Sequence, residues 1–277
     1  IFSNLSRDHL DYHKDMESYG STKKKLFTEW GLQSAIINID DDFGKRIVND
    51  STADRVITYG KFGDLSWHGE YNPTGMRVEF TYEGKSIDTD LSVHSEFEVA
   101  NIAAALAAFL SMGHSIEKLI NLLPQVASVP GRMQKISGPK GCPAVILDYA
   151  HTPDALERVL RACRYHCEGR LICLIGCGGG RDVGKRPIMG RVAVENSDVC
   201  YFTSDNPRDE DPLEIIINMT SSISTQEKRR VNLIIDRSEA IRAAIDLGRE
   251  KDWVVIAGKG HETTQEVHGR ILPLNDL

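Results

Sequence analysis

At 277 residues, 41% of them hydrophobic and 26% charged, the chain has room for two domains with cores of their own and the composition of an ordinary globular protein. Its formal net charge of −7 argues against a general nucleic-acid binder, and no apolar run approaches the roughly 20 residues of a membrane-spanning helix. No signal peptide is visible, and the six cysteines read better as buried thiols of a reducing cytoplasm than as disulfides or a zinc site, because Cys163 and Cys167 lack a second ligand pair.

The chain opens at Ile1 inside a motif-like run, so an upstream segment is expected to be missing. Asn4 to His13 (NLSRDHLDYH) crowds two histidines and two aspartates into ten residues. It reads either as a polar loop with a helix start at Ser6 or Asp8, or as a metal or phosphate-edge site. Met16 to Trp30 has helical spacing, with Met16, Tyr19, Lys23 and Leu26 on related positions. Lys23, Lys24 and Lys25 are consecutive and therefore point in different directions, so at most one shares the side of Tyr19. Strands are expected at Ala35–Asp40 and Val56–Tyr59, with a helix at Asp41–Asn49. Met76–Tyr82 and Ser86–Leu91, joined at Glu83-Gly84, alternate as a β-hairpin does. Phe97–Leu110 and Ile116–Leu123 read as helices, and Pro124–Pro130 as a linker. The domain boundary is expected near Ser128, dividing the chain into 1–128 and 129–277.

After Pro130-Gly131-Arg132 the pattern becomes regular. Strands at Ala144–Tyr149, Leu171–Ile175, Val199–Phe202, Val231–Ile235 and Trp253–Ala257 alternate with helices at Pro153–His166, after Pro187, after Pro212 and at Ser238–Leu247. That alternation predicts a parallel, doubly wound sheet. Strand ends carry Asp148-Tyr149-Ala150-His151-Thr152-Pro153-Asp154, a glycine loop at Gly176–Gly180, Asp205-Asn206-Pro207-Arg208, and Gly258-Lys259-Gly260-His261-Glu262. Loops at the carboxyl ends of such strands are where ligands sit, so one edge of the sheet is predicted to hold a cleft for a small anionic group. The glycine loop nearly spells a triphosphate loop (Gly179-xxxx-Gly184-Lys185), but Arg186 stands where Ser or Thr would bind Mg²⁺. A tight strand-to-helix turn, with Arg181 functional, is the better reading.

NLSRDHLDYH, PGRM (Pro130–Met133), DYAHTPDAL (Asp148–Leu156), GCGGGRDVGKRP (Gly176–Pro187), DNPR (Asp205–Arg208) and GKGHE (Gly258–Glu262), taken as an ordered set, resemble the Mur ligases. These are ATP-dependent amide ligases that build the peptidoglycan stem peptide. The resemblance implies an α/β fold: the C-terminal part of a P-loop-type central ATPase domain in 1–128, then a Rossmann-like, amino-acid-binding domain in 129–277. The family's phosphate loop of GTNGKT type lies upstream of NLSRDH, so the fragment alone is expected to be inactive.

The resemblance also implies roles. His9 matches a metal-side histidine, and Lys23, fourteen residues on, matches a lysine that becomes a carbamate and so an oxygen ligand for Mg²⁺. Carbamylation requires a neutral amine, hence a lowered pKa. Asn101 matches an asparagine near the adenine of ATP, although Glu98 replaces a family asparagine three residues earlier. Arg132 matches an arginine on the nucleotide phosphates and Asp148 an aspartate on the ribose side, while His151 reads equally as a loop-stabilising residue. Arg181, Asp205, Asn206, Pro207, Arg208, Gly258 and Glu262 are expected to hold meso-diaminopimelate: the arginines on its distal carboxylate and Glu262 on its ammonium. The second substrate is then a UDP-N-acetylmuramoyl dipeptide, and the expected enzyme is a cytoplasmic monomer without nucleic-acid or membrane partners. Two other readings stay open: a related ligase of the folylpolyglutamate type that adds another amino acid, and a non-catalytic nucleotide-binding module.

Overall fold

In the computed structural model, which describes every residue except Pro73 and Ser137, the chain divides between Ala127 and Ser128 into two units. Within the first unit run α1 (Leu10–His13), α2 (Met16–Thr28), β1 (Ser34–Asn38), α3 (Asp42–Asp50), β2 (Arg55–Tyr59), β3 (Leu65–Asn72), β4 (Gly75–Tyr82), β5 (Lys85–Leu91), α4 (Glu96–Ser111) and α5 (Ile116–Leu122). The strands form one sheet in the order β1-β2-β3-β4-β5. The first two pair in parallel; β3, β4 and β5 form an antiparallel meander. Glu83 and Gly84 both have positive φ (49° and 75°), which matches a tight turn to the twist of its strands. The strand β3 is not legible in sequence, because His68, Gly69, Glu70 and Asn72 dilute its pattern. It forms because β4 pairs along its whole length, from Leu65 against Tyr82 to Asn72 against Gly75. The alanines of α4 (Ala103, Ala104, Ala107) let that helix sink onto Leu65, Val78 and Phe80 to make the core.

The start of the first unit departs from expectation. No helix begins at Ser6 or Asp8. His9 takes a left-handed conformation (φ 55°) and α1 follows for a single turn, with no buried residue. Asp15 then caps α2 by accepting a bond from the Ser18 amide.

The second unit contains β6 (Gln134–Ile136), β7 (Ala144–Asp148), α6 (Pro153–His166), β8 (Leu171–Cys177), α7 (Lys185–Asn196), β9 (Val199–Ser204), α8 (Pro212–Met219), β10 (Val231–Leu233), α9 (Arg237–Leu247), β11 (Trp253–Ala257), β12 (Thr264–Val267) and β13 (Arg270–Pro273). Its large sheet has the order β10-β9-β8-β11-β7-β6. All neighbours are parallel except β6, an unanticipated edge strand that runs antiparallel to β7. The central strand β8 is buried at every residue, as expected where helices cover both faces. Pro187 does not start α7. The helix begins at Lys185, so Pro187 is its third residue, still within the turn whose N–H groups have no helical partner. Pro212, by contrast, stands at the first turn of α8 behind an Asp211 cap. The β12–β13 hairpin, also unanticipated, touches the loop after β9 through an isolated bridge between Arg208 and Val267.

Candidate functional site

In the second unit β11 inserts between β7 and β8, with β9 beyond β8. The four polar loops that follow these strands therefore meet at one edge. Backbone approach is tight there. A side chain at Gly179 would strike the Pro207 carbonyl at 1.9 Å, and Gly258 has φ +108° with Asp205 3.0 Å from where a Cβ would stand. The Gly179 amide donates to the Asn206 carbonyl (2.9 Å), and Arg208 Nη1 donates to the Gly179 carbonyl (2.7 Å). The glycine loop and DNPR are thus one backbone-to-backbone unit.

Arg208 sits at φ 53°, a conformation that a non-glycine residue holds only under constraint. The constraint comes from the hairpin: its amide donates to the Glu266 carbonyl and its carbonyl accepts from the His268 amide, at 3.1 and 2.7 Å. Its Nε lies 3.0 Å from Glu266 Oε2. The side chain is a quarter exposed.

The other basic residues of the glycine loop separate by role. Lys185 is buried and donates to the His151 carbonyl (3.1 Å), and Arg186, 1% exposed, donates to Glu210 (2.8 Å). Glu210 also accepts from the Gly180 amide at 2.6 Å; Arg186 and that amide hold its carboxyl below the ordinary range. Both basic groups of the near-triphosphate motif are therefore spent inside the fold, and Arg181 alone of the three stands exposed. Cys177 beside them is no nucleophile: burial pushes its thiol up to about 12.

Asp148 accepts the Ala150 amide on one oxygen (2.7 Å) and the Met133 amide on the other (2.8 Å). Burial outweighs those bonds and raises its carboxyl above the usual value. The Met133 bond anchors the turn that carries Arg132, whose guanidinium lies 4.2 Å from the Tyr149 ring centroid. Arg132 Nη1 is buried and makes no hydrogen bond among the described residues. An orphaned cationic donor is the kind of group a phosphate satisfies.

Glu262 accepts from Tyr149 Oη (3.3 Å), Asn206 Nδ2 (3.3 Å) and Lys259 Nζ (2.8 Å). Burial alone would raise its carboxyl; Lys259, Asn206 and Tyr149 together hold it below the ordinary value. The Gly258 amide donates to the Asp148 carbonyl at 3.1 Å, so any contact from Gly258 to a ligand has to come from its carbonyl. Asp205 is buried, and its Oδ1 accepts the Asn206 amide at 2.6 Å. Sequence reasoning missed Tyr149 and Lys259, although both lie inside the quoted motifs. The one available signal was a lysine flanked by glycines directly after an all-apolar strand.

In the first unit Tyr19 gathers the candidates. Lys23 Nζ lies 4.7 Å from its ring centroid, the His9 ring 5.7 Å and the His13 ring 5.0 Å away. Lys23 also donates to the Asn4 carbonyl at 3.4 Å. Lys24 instead pairs with Asp50, and Lys25 is exposed, so the lysine run splits as the helix geometry requires. Among the described residues no three His, Cys, Asp or Glu side chains gather as a metal cage. Asn101 is exposed on α4. Glu98 has a local reason to be where it is: its carboxylate accepts from the His94 amide (2.9 Å) and Ser95 Oγ (2.8 Å), while Ser95 accepts the Glu98 amide, forming a capping box at the start of α4.

Known proteins match both units. The Mur ligase middle domain matches residues 1–109, and the Mur ligase glutamate ligase domain matches residues 131–260. The UDP-N-acetylmuramoyl-L-alanyl-D-glutamate–2,6-diaminopimelate ligase of Aquifex aeolicus is 44% identical over 279 residues, covering 100% of this chain and 56% of the relative. A solved structure of a ligase of that name is 36% identical, covers 99% of this chain and 57% of its own, and superposes with a TM-score of 0.58. The folylpolyglutamate synthase of Mycobacterium tuberculosis, solved with ADP and AMPPCP, reaches a TM-score of 0.74 at 19% identity over 93% of this chain and 60% of its own, which speaks for the fold alone. This chain thus spans a little over half the length of the curated relatives it matches. With one family domain matched in each unit, and 39–44% identity to family members along nearly its whole length, the chain belongs to the Mur ligase family.

Proposed function

We propose that the protein is a cytoplasmic ATP-dependent ligase that joins meso-diaminopimelate to UDP-N-acetylmuramoyl-L-alanyl-D-glutamate. The observation that carries this reading is the hydrogen-bonded union of DNPR with GKGHE and with the glycine loop, where Arg208, the Asn206 amide and the Glu262 carboxylate converge on one sheet edge. A diaminopimelate end is an amino-acid zwitterion. Arg208 and Arg181 supply donors for its carboxylate, and Glu262 accepts from its ammonium. Asp205 and Pro207 fix the turn from which Asn206 and Arg208 project. L-Lysine lacks a distal carboxylate and would leave the Arg208 donors not taken by Glu266 and Gly179 without one, at a cost of about 1–3 kcal/mol.

The chemistry then runs through an acyl phosphate. ATP phosphorylates the γ-carboxylate of the D-glutamate residue, the amine of diaminopimelate attacks that carbonyl, and the tetrahedral adduct expels phosphate to leave the amide. Arg132, with its orphaned Nη1, suits the nucleotide phosphates and Asp148 the ribose side; Asn101 is the first unit's proposed contact to the adenine. Asp148 keeps capacity for this, since each carboxylate oxygen accepts more than one bond. Mg²⁺ supplies neutralisation of the clustered phosphate charge when bound. His9, and Lys23 as a carbamate, would hold it. They fit an ion that retains waters and takes few protein ligands.

A phosphate-release assay on the full-length protein tests the reading. Release that needs the UDP-dipeptide and meso-diaminopimelate together, and fails with L-lysine, is expected. Equal turnover with lysine, or turnover only with a folate and glutamate, would sink it.

A further inference from the structure

We propose that Lys259 is a positioning residue for amino-acid recognition: its buried ammonium sets Asn206 as a donor and Glu262 as an acceptor toward the ligand. The inference rests on the reading that these loops receive diaminopimelate.

Lys259 follows the all-buried strand β11 and is 0% exposed. Its Nζ reaches Asn206 Oδ1 at 3.2 Å and Glu262 Oε2 at 2.8 Å. The orientation of an asparagine amide is ordinarily ambiguous. Here it is not. The Glu266 amide donates to the same Asn206 atom at 3.0 Å, and neither that N–H nor an ammonium can accept a bond. The atom facing both must therefore be the carbonyl oxygen. Asn206 Nδ2 then points the other way, giving one hydrogen to Glu262 Oε2 (3.3 Å) and leaving its second for a ligand. An Asn206 held in this way offers a donor, which suits a carboxylate and repels an ammonium. Glu262 is fixed from two sides, by Lys259 at one oxygen and Tyr149 at the other, so its carboxylate cannot swing away from the edge.

A purely structural role explains the lysine less well. Burying an ammonium beside a carboxylate is seldom more stabilising than burying an apolar pair of the same size. What an apolar side chain cannot do is bridge Asn206 Oδ1 to Glu262 Oε2, as the ammonium does.

The test is steady-state kinetics of the full-length protein. Wild-type turnover with diaminopimelate tests the functional reading by itself; if there is none, that reading fails and this inference with it. Given turnover, Lys259→Met is expected to raise KM for diaminopimelate about tenfold or more, as loss of a buried charged hydrogen-bond donor does, with kcat and the KM for ATP each within about threefold of wild type. Lys259→Gln, which keeps a donor, is expected to fall between the two, and it is read by the same criteria if the methionine variant does not fold. An unchanged KM for diaminopimelate would overturn the proposal. So would equal deterioration of all three parameters, the mark of a scaffold residue.

Discussion

In the second unit, Asp148, Asp205, Asn206, Arg208 and Glu262 are each tied to another loop or to the backbone, and most are at least partly buried. In the first unit, His9 lies 58% exposed at the end of a loop, and Lys23 has one long hydrogen bond and the face of Tyr19. The contrast fits what each set is proposed to bind. A zwitterion is told from its analogues by donors and acceptors at fixed positions, which demands preorganisation. A hydrated divalent ion is held through few protein groups and tolerates a looser frame.

The largest expected effect breaks the scaffold of the tied side. Arg237 and Asp276 form a wholly buried pair, with Nε 2.7 Å from Oδ1, and Arg237 also donates to the Ala257 carbonyl (3.0 Å) directly before Gly258. Asp276→Ala leaves that guanidinium uncompensated and should cost about 3–5 kcal/mol in urea denaturation. A loss under 1 kcal/mol would mean that the edge is not held from below.

On the looser side, Lys23→Met should lower kcat of the full-length enzyme by on the order of a hundredfold, as removal of a ligand that helps neutralise transition-state charge does. The neighbouring Lys24→Met removes only the surface pair with Asp50, worth less than about 1 kcal/mol, and should leave kcat unchanged. Equal losses in both variants would erase the distinction drawn by Tyr19.

Arg208→Ala should raise KM for diaminopimelate between about tenfold and a hundredfold, from loss of a charge-assisted contact, and leave the KM for ATP in place. Unchanged kinetics would remove the specificity argument.

The smallest effect is a pH dependence. The Asp148 carboxyl is raised, chiefly by burial, so the folded state holds its proton more tightly than the unfolded state does. Its contribution is fully present below the unfolded value of about 4 and is lost as pH rises through the raised folded value. The melting temperature of wild type relative to Asp148→Asn should therefore fall as pH climbs through that window. A constant difference would show that the carboxyl is not perturbed.

Much of this was legible beforehand, for reasons particular residues make clear. Strand runs such as Leu171–Ile175 and Trp253–Ala257 declare themselves by composition, and Pro212 behind Asp211 announces a helix start. Once strands alternate with helices, the right-handed crossover rule sends the following loops to one edge, so the meeting of DNPR with GKGHE could be anticipated. The mixed strand β3, the antiparallel edge β6 and the β12–β13 hairpin could not, because each is stabilised by a partner rather than by its own pattern.

By itself, then, the sequence determined the alternating architecture, the edge where the polar loops gather and the family, since periodicity and turn chemistry are local properties. Only the tertiary structure decided which polar groups meet across loops: Arg208 held left-handed by the hairpin, Lys259 on Asn206, and Tyr149 on Glu262. A buried polar group takes its partner from whichever strand or loop lies beside it, and here that neighbour comes from tens of residues away along the chain.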